Sequence, residues 1–320
     1  MKLDLNQLDL IDIEILEEQI KVPLTYYVSG PNIGTAPVIL INHPLTANAK
    51  FSGVDGWWNE IVGPGKAIDT NIYSVISFNI PGNGVDSYKW KSVEKIHTGH
   101  IAKLFINGLK KLGITDLYAL IGGSIGGGIS WEMAVLSPKL CKHLILIASD
   151  WKSTDWVIAN TFIQNQILKN SKDPVADARM HAMLLYRTPE SFSSRFARSE
   201  NEQKKMFNVE SWLLHHGKAL KDRFTLEGYL LVNQLLGSIN ILRNNKNFDT
   251  LIEQISAEIY LISVDSDLLF IPDEDRMTFN RLKKLEKKCF YYEINSVHGH
   301  DAFLIENNQV NNILNTIFKK

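Results

Sequence analysis

The chain has 320 residues, 45% of them hydrophobic, with 34 Lys and Arg against 35 Asp and Glu and a net charge of −1. That balance excludes the strongly basic surface that nucleic acid or an anionic membrane selects. No apolar run approaches the ~18 residues of a membrane span.

The length suits one large domain or a core with a sizeable insertion. The start, Met1-Lys2-Leu3-Asp4-Leu5, is mixed in polarity and soon acidic, unlike the basic start and apolar stretch of a secretory signal. The two cysteines, Cys141 and Cys289, have no metal-ligand or redox spacing and read as reduced thiols. These features predict a cytoplasmic protein without a metal, a membrane contact or a nucleic-acid partner.

Short apolar runs alternate with longer helical patterns, which predicts an α/β fold with a mostly parallel sheet and crossover helices. The predicted strands are Val38–Asn42, Tyr73–Phe78, Leu117–Ile121, Leu144–Ile147, Tyr260–Val264 and Phe290–Ile294. Most are continuous apolar runs, as strands buried on both faces should be. From about Trp151 to Asn245 the periodicity is helical, with no convincing strand. The chain is therefore divided into a core of residues 1–150 and 251–320 and a helical cap of residues 151–250.

Immediately after the strand at 117–121 comes Gly122-Gly123-Ser124-Ile125-Gly126-Gly127-Gly128, followed by a helical pattern. This is G-x-S-x-G at a strand-to-helix turn. Glycines two residues either side of the serine relieve backbone crowding, and the turn lifts the hydroxyl above the strand ends. A phosphate loop would carry Lys followed by Ser or Thr, which is absent. A dinucleotide fingerprint would lie near the first strand. Ser124 is the predicted nucleophile.

A serine hydroxyl needs a base, and the base needs a group that fixes its tautomer. In this arrangement the acid and then the histidine follow the serine along the chain. Asp265-Ser266-Asp267 follows the strand at 260–264, and His298-Gly299-His300-Asp301 follows the strand at 290–294. Either aspartate could be the acid, although Asp267 lies further into its loop. Only one of His298 and His300 can be the base. His43, His97, His100, His181, His215 and His216 read as structural or surface residues, although His43 sits next to the site. An oxyanion needs two N–H donors. One is expected from Ile125. Pro44 has no N–H, so the other is expected from Leu45 or Thr46.

These segments resemble the homoserine O-acetyltransferase family, a branch of the α/β-hydrolases, along nearly the whole chain. Leu45-Thr46 resembles its oxyanion loop. Asp55–Asp69 resembles its tryptophan and Gly-Pro-Gly-Lys segment. Gly122–Gly127 is similar to its nucleophile elbow, and Asp265–Phe270 and Gly299–Leu304 to its acid and histidine motifs. In the cap, Val209–Leu213, Gly217-Lys218, Arg223-Phe224 and Tyr229-Leu230 follow the family's order.

The resemblance implies a Ser124, Asp267, His300 triad, with the oxyanion held by the Leu45 and Ile125 backbone. It implies acetyl transfer from acetyl-CoA, a substrate and not a resident cofactor, to homoserine through an acyl-enzyme. It further implies a place in methionine biosynthesis, a homodimer, and Asp301 as a holder of the acceptor's ammonium. Two segments depart from the pattern. Gln164 stands where an arginine is expected to bind the acceptor's carboxylate, and the loop Asn79–Ser87 is shorter. An ester or thioester hydrolase with the same triad is the alternative, with water resolving the acyl-enzyme.

Overall fold

The computed structural model describes residues 5–15, 17–243 and 247–318. Among them one sheet contains β1 (Asn6–Ile15), β2 (Glu18–Ser29), β3 (Val38–Asn42), β4 (Ser74–Phe78), β5 (Leu117–Gly123), β6 (Cys141–Ile147), β7 (Glu258–Val264) and β8 (Cys289–Ile294). Their spatial order is β1-β2-β4-β3-β5-β6-β7-β8. The six predicted strands are β3 to β8, and all of them pair in parallel.

The antiparallel β1 and β2 were not predicted. Their signature differs from that of the parallel strands. Ile11, Ile13 and Ile15 are buried while Asp12 and Glu14 between them are exposed. This is the alternation of a strand with one wet face, unlike the continuous apolar runs of β3 to β8.

The parallel strands bury both faces. Leu40 and Leu120 join the core on one side, and Ile39, Ile41, Ala119 and Ile121 join the core on the other. Helices α1 (Thr98–Lys111) and α2 (Ile125–Leu136) precede and follow β5. Between β6 and β7 the chain forms α3 (Asp155–Asn170), α4 (Pro174–Tyr186), α5 (Pro189–Phe196), α6 (Asn208–Lys221) and α7 (Leu226–Gly237). α8 (Phe248–Gln254) leads into β7, α9 (Pro272–Lys284) joins β7 to β8, and α10 (Asn307–Phe318) ends the described chain.

Three of the inserted helices start on a threonine whose hydroxyl accepts from an otherwise orphaned N–H: Thr154 before α3, Thr188 before α5 and Thr225 before α7. Each such cap contributes about 1 kcal/mol. The insertion leaves and rejoins the sheet through a narrow neck. Lys152 bridges Asn240, Ser153 N–H donates to Ile239 O at 2.8 Å, and Ile241 N–H donates to Trp151 O at 3.2 Å. Arg243 then pairs with the buried Glu132 of α2 at 2.8 Å.

Candidate active site

The sequence around Ser124 leaves no alternative to its glycines. A Cβ at Gly122 would stand 2.2 Å from the Gly126 carbonyl oxygen, and one at Gly126 would stand 2.2 Å from the Asn42 carbonyl oxygen. Both contacts are to backbone, which cannot move aside cheaply. With those approaches open, β5 runs directly into α2. Ser124 takes φ 56 and ψ −129, a strained conformation for a residue with a side chain. The elbow is tied down from below. Ser130 Oγ donates to Gly126 O at 2.8 Å and accepts from Asn42 Nδ2 at 2.9 Å.

The loops after β7 and β8 bring the acid and base to the same sheet edge. His300 Nδ1 lies 2.7 Å from Asp267 Oδ2, and His300 Nε2 lies 2.9 Å from Ser124 Oγ. A carboxylate only accepts, so Nδ1 carries the proton and donates it to Asp267, while Nε2 is left to accept from the serine hydroxyl. Asp267 Oδ1 is held by the backbone N–H groups of Leu269 (2.7 Å) and Phe270 (3.0 Å). All three side chains are buried. Burial alone would lower the imidazole pKa. The charge and hydrogen bond of Asp267, with Asp301 beside it, outweigh that and raise it above its ordinary value.

The structure separates the paired candidates. Asp265 is exposed and accepts from Ser296 N–H at 3.0 Å, so it braces the neighbouring loop. His298 Nδ1 lies 3.2 Å from Arg187 Nη1 and 3.0 Å from Ser191 Oγ, away from Ser124. The turn between the two histidines needs Gly299, whose φ is +65 and whose Cβ, if present, would meet Tyr186 O at 3.1 Å.

Leu45 and Thr46, in the loop after β3, line the same cavity as Ser124, and Ile125 opens the first turn of α2 directly after it. His43 fixes the base of that loop. Its Nδ1–H donates to Pro44 O at 2.9 Å, and its Nε2 accepts from Ile80 N–H at 3.3 Å. Burial pushes its pKa down to about 4, so it is a neutral brace. From the cap, Arg223 Nη1 donates to Thr46 O at 2.7 Å.

Ser124 and His300 open into a cavity of about 640 Å³ whose charged walls are Arg179, Arg187, Arg223, Asp55 and Asp301. Of the three arginines, Arg223 belongs to a cap segment already marked by the family resemblance, whereas Arg179 and Arg187 carry no such mark in the sequence. Arg179 and Tyr186 lie seven residues apart on α4, two turns along one face, and both reach the cavity. Gln164, expected at the acceptor's carboxylate, is not among the lining residues. It is buried, its Nε2 lies 2.9 Å from His181 Nδ1, and it faces a smaller space of about 20 Å³ that shares Leu45 and Tyr186 with the cavity.

Asp301 does line the cavity, but Arg187 Nε already lies 3.1 Å from its Oδ2. The short loop is also at the cavity, through Gly84 and Val85. It is rigidified by a reciprocal amide pair between Asn79 and Asn83, at 3.0 and 2.9 Å, and by Gly82 N–H donating to Asp86 at 2.9 Å.

A family model described as alpha/beta hydrolase fold matches residues 37–289. A homoserine O-acetyltransferase of Nautilia profundicola is 31% identical, over 88% of this chain and 88% of its own length. The solved homoserine O-acetyltransferase of Bacillus anthracis superposes with a TM-score of 0.88 at 19% identity, covering 99% of this chain and 98% of that one. A solved acetylester hydrolase of Corynebacterium glutamicum superposes with a TM-score of 0.83 at 18% identity, covering 99% and 96%. A transferase and a hydrolase thus share this architecture almost equally, and the fold alone does not choose between them.

Proposed function

The chain belongs to the α/β-hydrolase fold family and, within it, to the homoserine O-acetyltransferases, and from that membership we propose that it moves an acetyl group from acetyl-CoA to L-homoserine through Ser124. The observation that carries the reading is the Ser124–His300–Asp267 relay opening into an arginine-walled cavity.

In the first half-reaction Ser124 Oγ attacks the thioester carbonyl carbon as His300 Nε2 takes its proton. Charge develops on the carbonyl oxygen, within reach of the Leu45 and Ile125 N–H groups, and Asp267 stabilises the imidazolium. The C–S bond breaks, the sulfur of CoA takes the proton from His300, and an acetyl ester remains on Ser124. In the second half the acceptor's hydroxyl gives its proton to His300, and its oxygen attacks the ester carbon. Ser124 leaves with that proton. Ser124, Asp267 and His300 are the catalytic residues of this proposal, and Arg179 takes the carboxylate role first assigned to Gln164. A guanidinium suits a carboxylate better than an amide does, since it is charged and can bond in two places.

The product, O-acetyl-L-homoserine, gives the enzyme its place in methionine biosynthesis. The cytoplasm suits a consumer of acetyl-CoA, and both cysteines are free and buried. No described helix is long and apolar enough to cross a membrane. A homodimer would cover the exposed Ile158, Phe162 and Ile163 on α3, and sedimentation tests it.

The test of the activity is CoA release from acetyl-CoA with and without homoserine, with the acetylated product identified by mass. Release that depends on homoserine supports transfer. Equal release in its absence, with free acetate formed, identifies water as the acceptor and overturns it.

A further inference from the structure

We propose that a second groove in the insertion, between α5, α6 and the hairpin that joins them, seats the phosphorylated adenosine end of the acetyl-CoA donor. This subsite rests on the acyl-transfer reading above and lies outside the catalytic cavity.

The hairpin pairs Glu200–Asn201 with Met206–Phe207. It borders an open groove of about 440 Å³ to which α5 gives Arg195 and Phe196, the hairpin gives Lys204, and α6 gives Trp212 and His215. Among the described residues no carboxylate lines it. Phe196 and Trp212 are half-buried, with ring centroids 5.7 Å apart, and Phe192 braces the indole edge-on at 5.6 Å. The Arg195 guanidinium lies 5.6 Å from the Phe196 centroid and 5.6 Å from that of Trp212. Lys204 Nζ donates to Ser211 Oγ at 2.8 Å. A neutral hydroxyl leaves the ammonium charge uncompensated and two of its three protons for another acceptor.

The groove continues a row of positive charge that starts in the cavity. Arg187 lines the cavity, and α5 begins two residues later. Arg195 follows Arg187 by eight positions, about 12 Å at the helical rise per residue. His216 of α6 stands between the two ends. Its ring centroid lies 4.2 Å from that of Trp212, and the charges of Arg179, Arg187 and Arg195 all act on it. A thioester seated at Ser124 leaves the pantetheine arm and the nucleotide outside the reacting centre. The arm is uncharged and the nucleotide carries three phosphate groups, so the charge that recognises CoA should stand apart from the nucleophile. Arg195 and Lys204 do so. A guanidinium can hold a phosphate at two points and an ammonium adds a point charge. The half-buried indole offers a face on which the base can stack. The groove acts on donor binding and leaves the chemical steps at Ser124 as they are.

The test compares acetyl-CoA with S-acetylpantetheine, the same thioester without the nucleotide, as donors to homoserine. The full chain is set beside its double variant Arg195→Gln, Lys204→Gln; both side chains are exposed, so the fold should survive. The variant should raise KM for acetyl-CoA by about tenfold or more, the size of effect expected when charged contacts are lost. Its kcat should stay within about twofold, because the lost contacts bind ground state and transition state alike. With S-acetylpantetheine kcat/KM should not change. An unchanged KM for acetyl-CoA, or an equal loss with both donors, would overturn the proposal. Calorimetry with CoA alone separates the groove from the activity. The variant should bind CoA about tenfold or more weakly than the wild type, and equal affinities overturn the groove whether or not acetyl is transferred. If the wild type binds CoA, the variant loses it, and no acetyl reaches homoserine, the groove stands and the transferase reading falls. A wild type that binds no CoA overturns both. Should the double variant not fold, Arg195→Gln alone is read in the same way.

Discussion

Arg223 Nη1 donates to the Thr46 carbonyl oxygen over 2.7 Å, joining the inserted helices to the loop that presents the Leu45 N–H. In the proposed reaction the insertion therefore helps hold an oxyanion donor in place as well as lining the cavity. Losing a donor outright costs ~10²–10³ in rate, and loosening one costs part of that. Arg223→Ala should lower kcat for acetyl transfer by roughly tenfold while CoA release still depends on Ser124. An unchanged kcat would remove the loop from the account.

His300 is raised in pKa chiefly against its own burial, by the charge and hydrogen bond of Asp267. The base must be neutral in the free enzyme, so kcat/KM should fall as pH drops through that raised value. In Asp267→Asn burial acts unopposed by the carboxylate, and the acid limb should move to lower pH. The rate at its optimum should fall by ~10⁴, the size of effect seen when such an acid becomes an amide. A pH profile whose acid limb stays in place would contradict this role for Asp267.

The elbow makes a steric prediction independent of chemistry. A Cβ at Gly126 meets Asn42 O at 2.2 Å and Asn42 C at 2.7 Å. Gly126→Ala must push α2 away from β3, at a cost of about 1–3 kcal/mol. Urea unfolding should show the loss, and activity should fall further than stability, because the same shift moves Ser124. A fully stable, fully active variant would show that the approach is looser than described.

Buried histidines predict an acid-sensitive fold. His43 is pushed down to about 4 by burial, and His100 to about 4 by burial and by Lys103 and Arg243. Below their ordinary value of 6.5, the unfolded chain binds protons that the folded chain refuses. Stability from these groups is full above pH 6.5 and is lost as pH falls towards 4. His300, raised in pKa, acts in the opposite sense, and its contribution is lost as pH rises. His97 and His216 are lowered in the same sense as His43 and His100, whereas the buried Asp150 and Asp275, raised in pKa by burial, act with His300. The histidine part is therefore isolated by comparing the protein with His100→Gln. The fall in urea midpoint between pH 7 and pH 5 should be smaller, or the rise larger, in the variant. The same pH dependence in both would reverse the assignment of His100 as neutral.

What could be read from the sequence was what local sterics dictate. The glycines around Ser124 are required within a few residues of it, so the motif shows without a fold. The chain order of Ser124, Asp267 and His300 follows from strands whose apolar runs are themselves visible. The choice between His298 and His300, by contrast, depends on which face of a turn points inwards, and the pattern around Gly299 does not state that. The cavity wall was harder still. Arg179 and Arg187 come from α4 and its end, and their meaning depends on how the insertion packs over the sheet. The spacing of Arg179 and Tyr186 could have marked a shared face, but nothing local distinguishes a wall from a solvated surface. How Gln164 sits against the cavity depends on the same packing. β1 and β2 are less legible because a strand with one wet face alternates apolar and polar residues instead of forming an unbroken apolar run.

The central claim is that Ser124 carries the acetyl group. Mixing the protein with acetyl-CoA alone, quenching, and weighing the peptide that contains Ser124 tests it most directly. The account predicts one added acetyl group on that peptide, formed together with a burst of CoA and discharged when homoserine is added. An unmodified Ser124 peptide, with acetyl transfer undiminished in Ser124→Ala, would contradict it.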